Sequence, residues 1–238
     1  MVAKKTPAVV AEKVDGMGLY LKKVFGIMFG AVAVTALSSV ATLAWGLPLV
    51  FNADFTGFSA LFYIATFGGL ALSIFTQIRV FNMRPGTGGA LLALYAVLMG
   101  FVMTPLIAVA ASVNPMSIVQ AFVLAALMFG CMALWGYKTA KDLSFLGLFL
   151  FIGMIGLVLV GVASMIWPLG STFATIVSAI GVLVFALFTA YDMQFLKNAY
   201  NQVPVTHRDN LAVLGALHLY ISFIAMFQYL LSLLNSRN

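Results

Sequence analysis

Asp192 is a carboxylate inside an apolar stretch, Thr172 to Leu196, of a 238-residue chain. An ionised carboxylate at mid-bilayer costs roughly 2.5–3.5 kcal/mol on insertion scales, so its presence points to ion or proton chemistry, or to a polar staple between helices. It stands five residues before Lys197. At helical rise that is about 7 Å below the basic boundary of the stretch. Water reaches such a depth, yet the apolar surroundings make the charge state responsive to neighbours. A carboxylate so placed can switch charge with pH and offer oxygen to a hard cation such as Ca²⁺. His218 and Ser222 lie four residues apart in the last apolar stretch, and so on one helical face. Counted from Leu211, their depths are about 10 Å and about 16 Å. An Asp–His pair is a charge-switching latch near neutral pH, whereas a neutral histidine hydrogen-bonds between helices. Ser222 can donate to a carboxylate but does not titrate in this range.

Seven apolar segments must position these groups: Val24 to Gly46, Gly57 to Ile78, Gly88 to Ala111, Met116 to Tyr137, Phe145 to Trp167, Thr172 to Leu196 and Leu211 to Leu234. Each is long enough for a hydrocarbon core about 30 Å thick, which takes roughly 20 helical residues. With 63% hydrophobic residues, 8% charged and a mean hydropathy of +1.12, the chain reads as an all-α polytopic membrane protein. A polar N-terminal arm over 1–23 precedes a single membrane domain over 24–238, the first apolar segment being a retained span, too long for a signal peptide. Of the 12 Lys and Arg, 11 fall in the arm or the spacers on one side. The spacers 47–56, 112–115 and 168–171 carry none, and Arg237 alone follows the seventh segment. The positive-inside rule therefore places the N-terminus in the cytoplasm and the C-terminus outside. The net charge of +6 serves topology, since no aromatic-interleaved basic patch exists to bind nucleic acid. Pro105 predicts a kink in the third span. Gly26 with Gly30, Gly68 with Gly69, and Gly153, Gly156 and Gly161 predict close helix approach. Cys131, the single cysteine, reads as a small packed core residue.

The sixth segment ends in Tyr191-Asp192-Met193-Gln194-Phe195-Leu196-Lys197, and the fourth runs out through Gly136-Tyr137-Lys138-Thr139-Ala140-Lys141-Asp142-Leu143-Ser144, with Gly147 beyond. These strings resemble the YDxQxLK and GYxTxxDLSxxG patterns of the transmembrane Bax inhibitor motif, or Bax inhibitor-1-like, family, and the resemblance spans nearly the whole chain after residue 20. It implies six helices around a central seventh and a pH-sensitive Ca²⁺ leak closed by two aspartates that share a proton. Asp192 matches the first of that pair. The seventh segment reads Leu214-Gly215-Ala216-Leu217-His218-Leu219-Tyr220-Ile221-Ser222-Phe223-Ile224-Ala225-Met226-Phe227, against a family LGALxLYLDFINLF. Ser222 thus replaces the second aspartate and Ala225 the asparagine. Two close carboxylates titrate as a coupled pair; one carboxylate with a serine does not, which leaves His218 as the substitute. The resemblance also gives a basic residue near Arg79 a contact with the gate carboxylate, with Arg84 competing for the match; the alternative for Arg79 is an anchor that snorkels to headgroups. Asp142 is expected to cap the fifth span, and Asp54 to sit solvated in an outer loop where it helps cations enter.

Enzymatic motifs are missing: the sequence has no HExxH, P-loop or Rossmann glycines, and no cofactor is implied. Ser59 and His218 fall at opposite depths, too far apart for a nucleophile and its base. Two classes remain. One is a cation leak of the bacterial inner membrane gated at Asp192, with Ca²⁺ as the permeant ion. The other is a membrane interaction protein that modulates a membrane protease or another integral partner, a role the resemblance links to some bacterial members.

Overall fold

A computed structural model describes residues 7–52, 57–167 and 170–236. Lys4, Lys5, Asp54 and Arg237 lie outside the described residues. Seven described helices are long and apolar enough to cross a membrane: α1 (Pro7–Trp45), α3 (Ala60–Arg79), α4 (Pro85–Val113), α5 (Met116–Lys138), α6 (Ser144–Ile166), α7 (Ser171–Gln202) and α8 (Arg208–Asn235). A single turn, α2 (Leu47–Val50), follows α1. In hydrocarbon a helix satisfies every interior backbone group within itself, which is why this composition folds as helices throughout. Sequence sets the ends. Ser59 caps α3 by accepting the Phe62 N–H at 3.2 Å, and Pro85 stands in the first turn of α4, where a missing N–H costs nothing. The chain is therefore an all-α polytopic membrane protein.

Two helices run beyond their expected ends at the basic side. α1 takes in residues 7–23 of the arm, and α7 continues past Leu196 to Gln202. The added turns are held by rings. Tyr20 of α1 packs on Tyr200 of α7 with centroids 4.9 Å apart, and the Arg208 guanidinium covers the Tyr200 ring at 4.2 Å. α4 passes through Pro105 as one unbroken helix. Cys131 is exposed on α5, not packed in the core.

The core is built around α8. Of its spanning stretch 83% is buried, against 44% for α7 and 11% for α6. It touches α1, α3, α4, α5 and α7, whereas α6 packs on α7. Tyr220, Phe223, Leu217, Leu219 and Met226 of α8 are fully enclosed, and Phe223 meets Phe122 and Phe129 edge-on at 5.6 Å. Lipid is as apolar as leucine, so what holds these contacts is dispersion and shape, not the removal of oil from water.

The glycines that let backbones approach are not those the four-residue spacing pointed to. Gly26, Gly30, Gly68, Gly156 and Gly161 face open space, and Gly69 and Gly153 make ordinary contacts. A side chain at Gly136 would strike the Ala190 backbone of α7, and one at Gly100 would strike the Thr35 carbonyl and Ser38 of α1. Spacing within one helix does not say which face meets a neighbour, and in an apolar helix no polar face marks the other side.

Candidate functional site

α7 and α8 lie face to face where Asp192 meets two residues of the last helix. Asp192 Oδ1 is 3.4 Å from His218 Nδ1, and the Ser222 hydroxyl donates to Asp192 Oδ2, also at 3.4 Å. The side chain of Asp192 is 7% exposed and that of His218 24%. Both contacts are long for hydrogen bonds to a carboxylate, which run at about 2.7–2.9 Å when tight. The carboxylate is buried but loosely held. α3 supplies the fourth group: Gln77 Oε1 lies 3.1 Å from His218 Nε2. The Gln77 amide nitrogen donates to the Ser73 carbonyl, so its oxygen faces the ring and His218 Nε2–H donates to it. Nδ1 is then left toward Asp192. With Nδ1 unprotonated and the carboxylate ionised, two acceptors face each other; one proton between them turns that contact attractive.

Asp192, His218 and Ser222 therefore come together. Arg79 does not join them: it is exposed at the end of α3 and makes no ion pair among the described residues. Among the described residues no three His, Cys, Asp or Glu side chains converge on a metal position. Ser59, spent on capping α3 and donating to the Leu49 carbonyl, offers no nucleophile. Asp142 accepts the Ser144 N–H at 2.9 Å at the start of α6. Hydrogen bonds from the Ser144 side chain, then its backbone, hold this exposed carboxyl below the usual carboxylate range.

Three neutral amides, Gln77, Gln194 and Asn210, escape a reading based on charge, and Lys197 has a bonding role that its place in the charge count does not give. Gln194 Oε1 accepts the Leu143 N–H at 2.8 Å and its Nε2 donates to the Lys141 carbonyl at 2.7 Å, pairing with the α5–α6 turn as another strand would. Lys197 Nζ donates to the Tyr137 carbonyl at 2.8 Å, satisfying a carbonyl the end of α5 leaves free. With Gly136 against Ala190, the two sequence motifs form one interface. Asn210 Nδ2 donates to the carbonyls of Val80 and Met83 and fastens the α3–α4 turn to the start of α8. The available signal was position: an amide at a span boundary beside a short turn has carbonyls within reach.

A bundle of membrane-spanning helices closed around a buried last helix, with an ionisable contact between that helix and the one before it, defines a polytopic integral membrane protein with a polar site inside the bundle. The family profile described as "Inhibitor of apoptosis-promoting Bax1" matches residues 18–238, and the chain belongs to this Bax inhibitor-1-like family. It is 35% identical over 226 residues to "Inner membrane protein YbhL" of Escherichia coli, covering 93% of this chain and 93% of that protein. It is 33% identical over 219 residues to a protein of Caulobacter vibrioides, covering 91% and 86%. A Rickettsia prowazekii protein is 31% identical over 229 residues, covering 94% and 92%.

Proposed function

We propose that the protein is a pH-sensitive cation leak of the bacterial inner membrane, with Ca²⁺ as the permeant ion and Asp192 as the gate. The N-terminus is cytoplasmic and the C-terminus outside, and α8 is the central helix of a ring of six, α6 taking its place through α7. The observation that carries this reading is a buried carboxylate held by an imidazole: Asp192 Oδ1 and His218 Nδ1 at 3.4 Å. A proton between them ties α7 to α8, and through Gln77 to α3. Loss of that proton leaves two facing acceptors, the contact loosens, and flux rises with pH. Gln77 and Ser222, which complete the contact, do not titrate. Arg79 acts as the boundary anchor of α3.

The test is Ca²⁺ flux into liposomes carrying the purified protein, between about pH 6 and about pH 8, the interval in which histidine titrates. Flux should rise with pH in the wild type and lose that dependence in Asp192→Asn and His218→Ala. Absence of flux above empty liposomes at every pH overturns the leak. The second reading, a membrane interaction protein that restrains a membrane protease, then takes its place; it is supported by α6, which holds to α7 and turns Phe145, Leu148 and Phe149 outward.

A further inference from the structure

We infer that Asp192 and His218 form a nitrogen–oxygen site that holds a first-row divalent transition cation of the Zn²⁺ or Fe²⁺ class in preference to Ca²⁺; this concerns the ion held at the gate, and its bearing on flux rests on the leak reading. Three features of the contact support the site. Two ligands on one tetrahedral Zn²⁺, each about 2.0–2.1 Å from the metal, stand about 3.3 Å apart, and Oδ1 and Nδ1 are already 3.4 Å apart. A cation can thus take the place of the proton between them without either side chain moving far. A metal-bound histidine characteristically donates its other ring N–H to a carbonyl or carboxylate, which fixes the ring and its tautomer. His218 does so through Nε2 to Gln77 Oε1 at 3.1 Å, while Ser222 steadies the second carboxylate oxygen.

The donor set sets the preference. Ca²⁺ takes six to eight oxygens, several of them carboxylate, whereas imidazole suits Zn²⁺, Fe²⁺ and their neighbours. One carboxylate beside an imidazole is a poor cage for the first and a natural pair for the second. Among the described residues no third His, Cys, Asp or Glu completes the shell, so water fills the open positions.

The experiment uses the full chain in detergent, with Co²⁺ as the probe because its visible absorption bands report the ligands it gains. Co²⁺ should bind with bands typical of mixed N,O coordination, yield to Zn²⁺, and withstand a large excess of Ca²⁺. Affinity should fall by at least about tenfold in Asp192→Asn and in His218→Gln, which keeps a polar side chain between the helices, and by less in Gln77→Leu. His207→Ala, which removes the chain's other histidine, should leave binding unchanged. Unchanged Co²⁺ binding in His218→Gln, or displacement by equimolar Ca²⁺, overturns the inference. Paired Ca²⁺ and Zn²⁺ flux measurements in liposomes separate it from the leak. Ca²⁺ flux without a His218-dependent Co²⁺ site removes the inference and keeps the leak; a His218-dependent site with no flux of either ion removes the leak and keeps the site.

Discussion

α6 and α8 are both apolar helices of spanning length, and they have opposite fates. α6 is the most apolar of the seven spans and 11% of it is buried; α8 is among the less apolar and 83% of it is buried. In water the order would be reversed, because exposing Phe145 or Leu148 would forfeit about 1.5–3 kcal/mol each. In lipid the outward face of α6 loses nothing. What α8 brings inside is instead a row of polar groups with partners: Asn210 on the α3–α4 turn, His218 and Ser222 on Asp192, the Tyr220 hydroxyl 2.6 Å from Thr35 Oγ1, and Asn235 accepting from Ser117. Within a bilayer, polarity reports burial better than hydrophobicity does.

The strongest way to break this contrast is to place the same bulk on a helix face that meets protein and on one that meets lipid. Gly136→Leu should prevent folding or cost more than about 3 kcal/mol, since the Ala190 backbone cannot yield. Gly156→Leu on α6 should leave thermal unfolding in detergent unchanged, because that position is open. Next comes Asn210→Ala, which strips the Val80 and Met83 carbonyls of their donor and should cost about 1–3 kcal/mol. Limited proteolysis at the α3–α4 turn should quicken in parallel, and an unaltered cleavage rate would show that the clamp is not what holds the turn. Asp192→Asn is expected to change stability by about 1 kcal/mol or less, because an amide still bridges His218 and Ser222. Differential scanning calorimetry in detergent should therefore show little change in unfolding temperature, and a large drop would show that the carboxylate itself holds α7 to α8. Smallest is Asp142→Asn at the start of α6. The Asp142 carboxyl is held below its ordinary range in the folded chain, so its contribution is present above the unfolded-state value and disappears as pH falls through the folded one. The variant should therefore differ slightly from wild type near neutral pH and converge with it in acid.

Span number and membrane class were legible because length and apolarity alone decide whether a helix crosses a bilayer. The ends of α1 and α7 were not, since a tyrosine pair and an arginine hold those turns, and hydropathy does not register ring stacking. Asp192 announced itself by the cost of its charge. Ser222 followed from the family pattern it departs from, and His218 from its helical spacing to Ser222. Gln77 remained hidden because it sits on α3, far away in sequence, and a neutral amide near a boundary carries no such penalty. Gln194 stands in a motif whose letters give it no role; only the folded turn at 141–143 shows what it grips.

The position of α8 in the chain has a consequence for synthesis. The ribosome makes this helix after every helix it touches. Until it arrives, the Thr35 hydroxyl, the Asp192 carboxylate and the Val80 and Met83 carbonyls lack the partners they have in the finished bundle. The helices that α8 touches are therefore made before these polar groups have their partners on it, and closure of the bundle waits for α8 to settle among them.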